Sequence, residues 1–139
     1  MAHFAELDLN NRVLRVVRAD QNDIDNNGGD QSEQAATNFQ KTVPLSELGV
    51  KWVQTSKTGS FRKKYAAIGD IYDSEKNKFL NPQPYEFWTL DANDDWQPPV
   101  AKPVTYTQVY ASQENSFPDL YYWNEDTNSW NIVLDGTNP

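Results

Sequence analysis

With 139 residues the chain is sized for one domain with at most a small appendage, and a compact fold of that length buries roughly two-thirds of the unfolded surface. Only 37% of the residues are hydrophobic and the mean hydropathy is −0.82, so the expected core is thin and carried by five Trp, seven Tyr and six Phe. The lack of Cys excludes disulfides, thiolate metal sites and a cysteine nucleophile, and the formal charge of −8 argues against nucleic-acid binding, which needs clustered cations.

No apolar run approaches the ~20 residues of a membrane span, and Met-Ala-His-Phe-Ala-Glu lacks the basic and apolar regions of a signal peptide. A soluble protein made in the cytoplasm, with no membrane partner, is the expectation. Phe4 to Val17 alternates as two short strands around an Asn10-Asn11 turn. Asp20 to Asp30, DQNDIDNNGGD, is rich in turn formers and too polar for a core, which predicts a surface loop. Ser32 to Lys41 predicts a short helix with Ser32 as N-cap. Pro44 to Gly49 predicts a single helical turn closed by Gly.

Val50 to Gln54 resumes strand character around Trp52, Thr55 to Ser60 is another turn, and Phe61 to Ile68 mixes cations with Phe61, Tyr65 and Ile68. Three aromatic-flanked units follow: Tyr72 to Phe79, Trp88 to Trp96 and Trp123 to Trp130. Each is a ring, a few polar turn formers and another ring. That pattern predicts β-hairpins, because Asp and Asn tolerate the positive φ of tight turns while the rings pair across the strands. Leu7 to Val13 is a fainter copy. The fold class expected is mainly β, with short antiparallel strands, tandem β-hairpins and at most one or two short helices. Gln97-Pro98-Pro99-Val100-Ala101-Lys102-Pro103 has the composition of a semi-rigid spacer. The resulting division is a β-rich main domain over 1–97, a proline-rich spacer over 98–104 and a C-terminal hairpin or arm over 105–139. Trp52, Trp88 and Trp96 are expected to form one buried cluster.

The loop Asp23 to Gly28 matches the opening of a calcium loop, but Asp30 and Glu33 fall off the pattern, and a solvated turn is the better reading. No metal or other cofactor is expected. The single His3, beside an N-terminus expected to be mobile, anchors no catalytic triad, and the carboxylate pairs Asp94-Asp95 and Glu125-Asp126 are expected at solvated hairpin tips. A non-enzymatic role is therefore expected. Charge is uneven: residues 51–64 carry five bases and no acid, and residues 103–139 carry five acids and no base. Lys57, Arg62, Lys63 and Lys64, with Tyr121, Tyr122, Trp123 and Trp130 of the last hairpin, are the candidate interaction residues. The basic strip has a bland reading as an exposed strand face or a patch that meets acid on a neighbouring subunit, and the rings have one as core.

The stretches Trp52-Val53-Gln54-Thr55-Ser56, Arg62 to Gly69, Tyr72-Asp73, Pro82-Gln83-Pro84-Tyr85 and Trp88-Thr89-Leu90-Asp91, with Met1 to Asp8 and Tyr122 to Asp126, resemble a family of small virion structural proteins. These come from tailed phages of marine cyanobacteria and related hosts. The resemblance spans most of the chain and implies a non-enzymatic, multi-copy or homo-oligomeric part of the particle, carried on the head as a decoration or knob-like protein. It implies the major capsid protein or other virion proteins as partners. Ser32 to Leu48 and Val104 to Leu120 depart from the family pattern. The alternative is a tail- or fibre-associated module whose aromatic rings recognise host-surface glycans.

Overall fold

Ala2–Leu7 (β1) is buried at every one of its six positions, because it is the middle strand of a sheet covered on both faces. The computed structural model describes residues 2–101 and 121–132, which fall into two compact units, Met1–Pro82 and Gln83–Pro139. In the first unit β1 pairs antiparallel with Val13–Ala19 (β2) and with Lys51–Thr55 (β3), giving the order β2-β1-β3. A β-bulge shifts the β1–β2 register between Glu6 and Leu7, so that Glu6 faces Arg15 and Leu7 faces Val13.

Strand alternation divides the core in two. One face carries Ala2, Phe4 and Trp52, packed with Ile24, Ala35, Phe39 and Val43. Phe39 fixes this layer by stacking on Phe4 at 4.6 Å and meeting the Trp52 ring edge-on at 5.0 Å. The other face carries Ala5, Leu7 and Val53, packed with Ala66, Tyr72 and Phe79. The last two come from the hairpin of Ile71–Asp73 (β4) and Lys78–Leu80 (β5).

The helix expected at Ser32 forms as Glu33–Thr42 (α2), with the Ser32 hydroxyl accepting from Ala35 N at 3.1 Å. Three expectations are corrected. Asp20 to Asp30 is no simple surface loop: Gln21–Asp25 is a short helix (α1) N-capped by Asp20, and its single apolar residue, Ile24, is 2% exposed in the core. One large apolar side chain suffices to dock a polar segment when every other side chain faces water. Pro44 to Gly49 makes a tight turn closed by Gly49 N to Ser46 O, not a helical turn. His3 is no part of a mobile end, since it lies in the central strand and is 7% exposed.

All four hairpins expected from sequence are formed: β1–β2, β4–β5, Thr89–Leu90 (β6) with Trp96–Gln97 (β7), and Tyr121–Asn124 (β8) with Ser129–Ile132 (β9). Their tips share one device. Asp8, Asp73, Asp91 and Asn124 each accept two backbone N–H groups through Oδ1. Asn11, Asn77, Asp94 and Asn128 then take positive φ, between 52° and 62°, to reverse the chain. The fold is thus mainly β, in small antiparallel sheets with two short helices.

The tryptophan expectation is also corrected. Trp52 belongs to the core of the first unit, whereas Trp88 and Trp96 lie in the second and are only half-buried. Val104 to Leu120, with Tyr106 and Tyr110, lies outside the described residues, as do part of the proline spacer and most of the expected arm.

Candidate interaction surface

The basic strip is dispersed by its own partners. Arg62 donates through Nε to Asn77 Oδ1 at 2.8 Å and through Nη1 to Gln54 O at 2.9 Å, and its guanidinium stands 5.6 Å from the centre of the Tyr72 ring. It is a clamp joining β3 to the β4–β5 hairpin. Lys64 forms an ion pair with the buried Asp70 at 2.8 Å and donates to Asn81. Lys63 is half-buried and, like Arg62, has positive φ. Phe61 to Ile68 is therefore irregular chain, not the exposed strand face. Lys57 is exposed, and its charge acts on the imidazole of His3.

Beside this clamp, Gln31, Gln40, Lys51, Gln54, Arg62 and Tyr72 line a polar groove of about 370 Å³. Lys51 Nζ sits 5.8 Å from the Tyr72 ring centre, so two cations cover this ring. Arg15 covers Trp52 in the same way, at 5.0 Å. No group of three or more metal-ligating side chains occurs among the described residues, Asp23 to Gly28 included.

The aromatic half of the prediction is brought together, within the second unit. Trp123 and Trp130 face each other across the β8–β9 ladder, with ring centres 5.4 Å apart. Trp88 meets Trp123 edge-on at 5.6 Å and lies 6.5 Å from Trp130, while Tyr85 adds a fourth ring 5.5 Å from Trp88. Tyr121 shares the ring face of β8 with Trp123 by strand alternation. Tyr122 points to the other face, where its hydroxyl accepts from Asn131 Nδ2 at 3.3 Å.

Indole nitrogens orient two of these rings. Trp130 Nε1 donates to Val100 O at 2.8 Å and Trp123 Nε1 to Glu125 Oε2 at 2.8 Å. Trp88 Nε1 is buried and has no hydrogen-bond partner among the described residues. Sequence reasoning missed Tyr85 and Trp88 as members of this cluster. Their signal was present in the Pro-Tyr-Glu-Phe-Trp run, but long-range pairing decides which rings meet.

The described residues of the second unit include no fully buried apolar side chain; Tyr85 is 39% and Phe87 56% exposed. Charge divides along the same boundary. Residues 1–82 hold eleven acids and eleven bases, whereas residues 83–139 hold nine acids and one base, so the second unit carries the whole charge of −8. The first unit is neutral and well packed, and the second is acidic and presents rings. The chain matches no family model, no curated protein and no solved structure.

Proposed function

We propose that this chain is a non-enzymatic structural protein of a tailed-phage particle, carried in many copies on the capsid surface, with the second unit making the attachment. The sequence resemblance supplies the phage context. The observation that carries attachment is the half-exposed cluster of Tyr85, Trp88, Trp123 and Trp130 in a unit whose described residues include no fully buried apolar side chain. Rings left at a surface in such density gain by burial against a partner. The major capsid protein, or another virion protein beside it, is the partner in this reading, and the neutral first unit is displayed. No helix among the described residues is long and apolar enough to cross a membrane.

Two-stranded ribbons suit the task, because their open edges and ring faces serve recognition without a deep pocket. The test is stoichiometric co-purification with capsid shells lacking tails, together with density for both units on the head in cryo-EM maps of the particle. Finding the chain on tails alone would refute the head assignment.

A second reading has its own observation. The half-exposed rings of Trp88 and Trp123, with Tyr85 beside them, form a stacking surface, an arrangement that also suits a sugar. A tail- or fibre-borne module recognising host-surface glycans would bind on a glycan array and lose that binding on Trp88→Ala or Trp123→Ala.

A further inference from the structure

The chain treats its rings differently in its two units. In the first, Trp52 lies under Arg15 and Tyr72 under both Lys51 and Arg62, so these ring faces already carry cations. In the second, Tyr85, Trp88 and Trp123 contact one another, and no cation lies over any of the three among the described residues. Composition gives the reason, since residues 83–139 contain Lys102 as their one base.

Acids flank those rings along the chain. Glu86 sits between Tyr85 and Trp88 in the chain, the Glu125 carboxylate accepts from Trp123 Nε1, and Asp126 lies next to it at the hairpin tip. A ring face attracts a cation through its quadrupole, and a carboxylate at the ring edge adds direct charge attraction. Arginine gains most at such a place, because its planar guanidinium stacks on the ring while its N–H fork reaches a carboxylate.

We propose that Tyr85, Trp88 and Trp123, with Glu86, Glu125 and Asp126, form a receptor surface for cationic side chains, arginine above lysine, of a basic protein surface. This deepens the attachment reading by naming the chemistry of the partner, yet it is tested on the isolated chain. Failure to find the protein on phage heads would therefore leave it standing, and its own failure would leave the head location standing.

The experiment titrates deca-arginine and deca-lysine peptides into the full chain labelled with 5-fluorotryptophan, read by fluorine NMR and calorimetry at physiological ionic strength. The expected result is movement of the Trp88 and Trp123 resonances with that of Trp52 unchanged, and tighter binding of deca-arginine than of deca-lysine. Trp88→Leu with Trp123→Leu should weaken binding by about tenfold or more, the worth of two cation–ring contacts. Glu125→Gln with Asp126→Asn, which keeps the rings, should weaken it and flatten its salt dependence. Because the ring variant could disturb the second unit, the wild-type resonance shifts stand as an independent readout. Binding that leaves the Trp88 and Trp123 resonances unmoved is attraction to net charge alone and overturns the proposal. So does ring-dependent binding of a neutral oligosaccharide such as maltoheptaose with none of deca-arginine.

Discussion

Glu6 and Arg15 face each other across the β1–β2 ladder, and the carboxylate is wholly buried while the guanidinium reaches it from a side chain 39% exposed. Arg15 donates from Nε and Nη2 at 3.1 and 3.2 Å, and Ser46 adds its backbone N–H and its hydroxyl, both at 2.6 Å. Arg15 also donates to Pro44 O at 3.0 Å. Gly49 makes room for the arrangement, since a Cβ there would stand 2.6 Å from Glu6 Oε2. A buried carboxylate thus fastens the Pro44–Gly49 turn to the central strand. Burial alone would raise its pKa, but the hydrogen bonds from Arg15 and Ser46 outweigh it and hold the carboxyl below its ordinary value of 4.5.

Removing Arg15 should leave that charge short of partners. Arg15→Leu is expected to cost about 2 kcal/mol in urea unfolding, less than for a fully buried pair because solvent already reaches the guanidinium. The folded pKa of Glu6 lies below the unfolded one, so the stability it contributes is present above about pH 4.5 and is lost as pH falls through the folded value. An unchanged urea midpoint for Arg15→Leu would show that the pair contributes nothing.

His3 gives the opposite kind of group at a higher pH. Burial first, then the charges of Lys57, Arg18 and the N-terminus, push its pKa below 6.5, and its Nδ1 has no hydrogen-bond partner among the described residues. Protonation therefore favours the unfolded chain, which takes up the proton as pH falls through 6.5 while the folded chain resists. Melting temperature should fall between about pH 7 and pH 5 in the wild type, and His3→Gln should flatten that interval. The acidic limb below pH 4.5 belongs to Glu6 and to Asp30, whose pKa is lowered by hydrogen bonds from Gln21 and Gln54, and it should survive in His3→Gln.

The hairpin tips separate backbone strain from side-chain work. Asn11 and Asn77 have φ of 62° and 56°, but Asn77 Oδ1 also accepts from Arg62 Nε at 2.8 Å and from the Tyr72 hydroxyl at 2.6 Å. Asn11→Gly should change stability by less than about 0.5 kcal/mol, because glycine adopts that φ freely. Asn77→Gly should cost about 2 kcal/mol, the price of leaving partly buried donors unpaired. Equal effects at the two sites, measured by thermal melting, would show that only the turn matters.

Much of this architecture was legible because it is local. A ring, an Asx turn and a residue tolerant of positive φ lie within about ten residues, so Tyr72 to Phe79 and Trp123 to Trp130 announce their own pairing. The Ser32 cap announces its helix in the same way. Non-local facts were not legible. Nothing beside Ile24 in sequence shows that this one apolar residue docks a polar segment, and nothing around His3 shows that its strand lies in the middle of a sheet. The basic strip looked like a surface because its partners, Gln54, Asp70, Asn77 and Asn81, lie up to seventeen positions away. The ring cluster was half legible: Trp123 and Trp130 are a local pair, whereas Trp88 reaches them across more than thirty residues of chain.

The distribution of tryptophans over two units makes the last prediction. Trp52 is 3% exposed, donates from Nε1 to Val43 O at 3.1 Å, meets Phe39 edge-on and lies under Arg15. Deleting a buried aromatic of this kind costs ~3–5 kcal/mol, a large share of the stability of a small domain, so Trp52→Ala should unfold the first unit or nearly so. Trp88 contributes to the second unit instead, where every described ring is at least partly exposed. In the full chain Trp88→Ala should leave hydrogen exchange of the β1 amides at wild-type rates, while Trp52→Ala speeds them to the rate of global opening. Faster β1 exchange in Trp88→Ala would mean that the two units melt as one cooperative body, and the division of labour between a neutral core and an acidic, ring-bearing unit would fail with it.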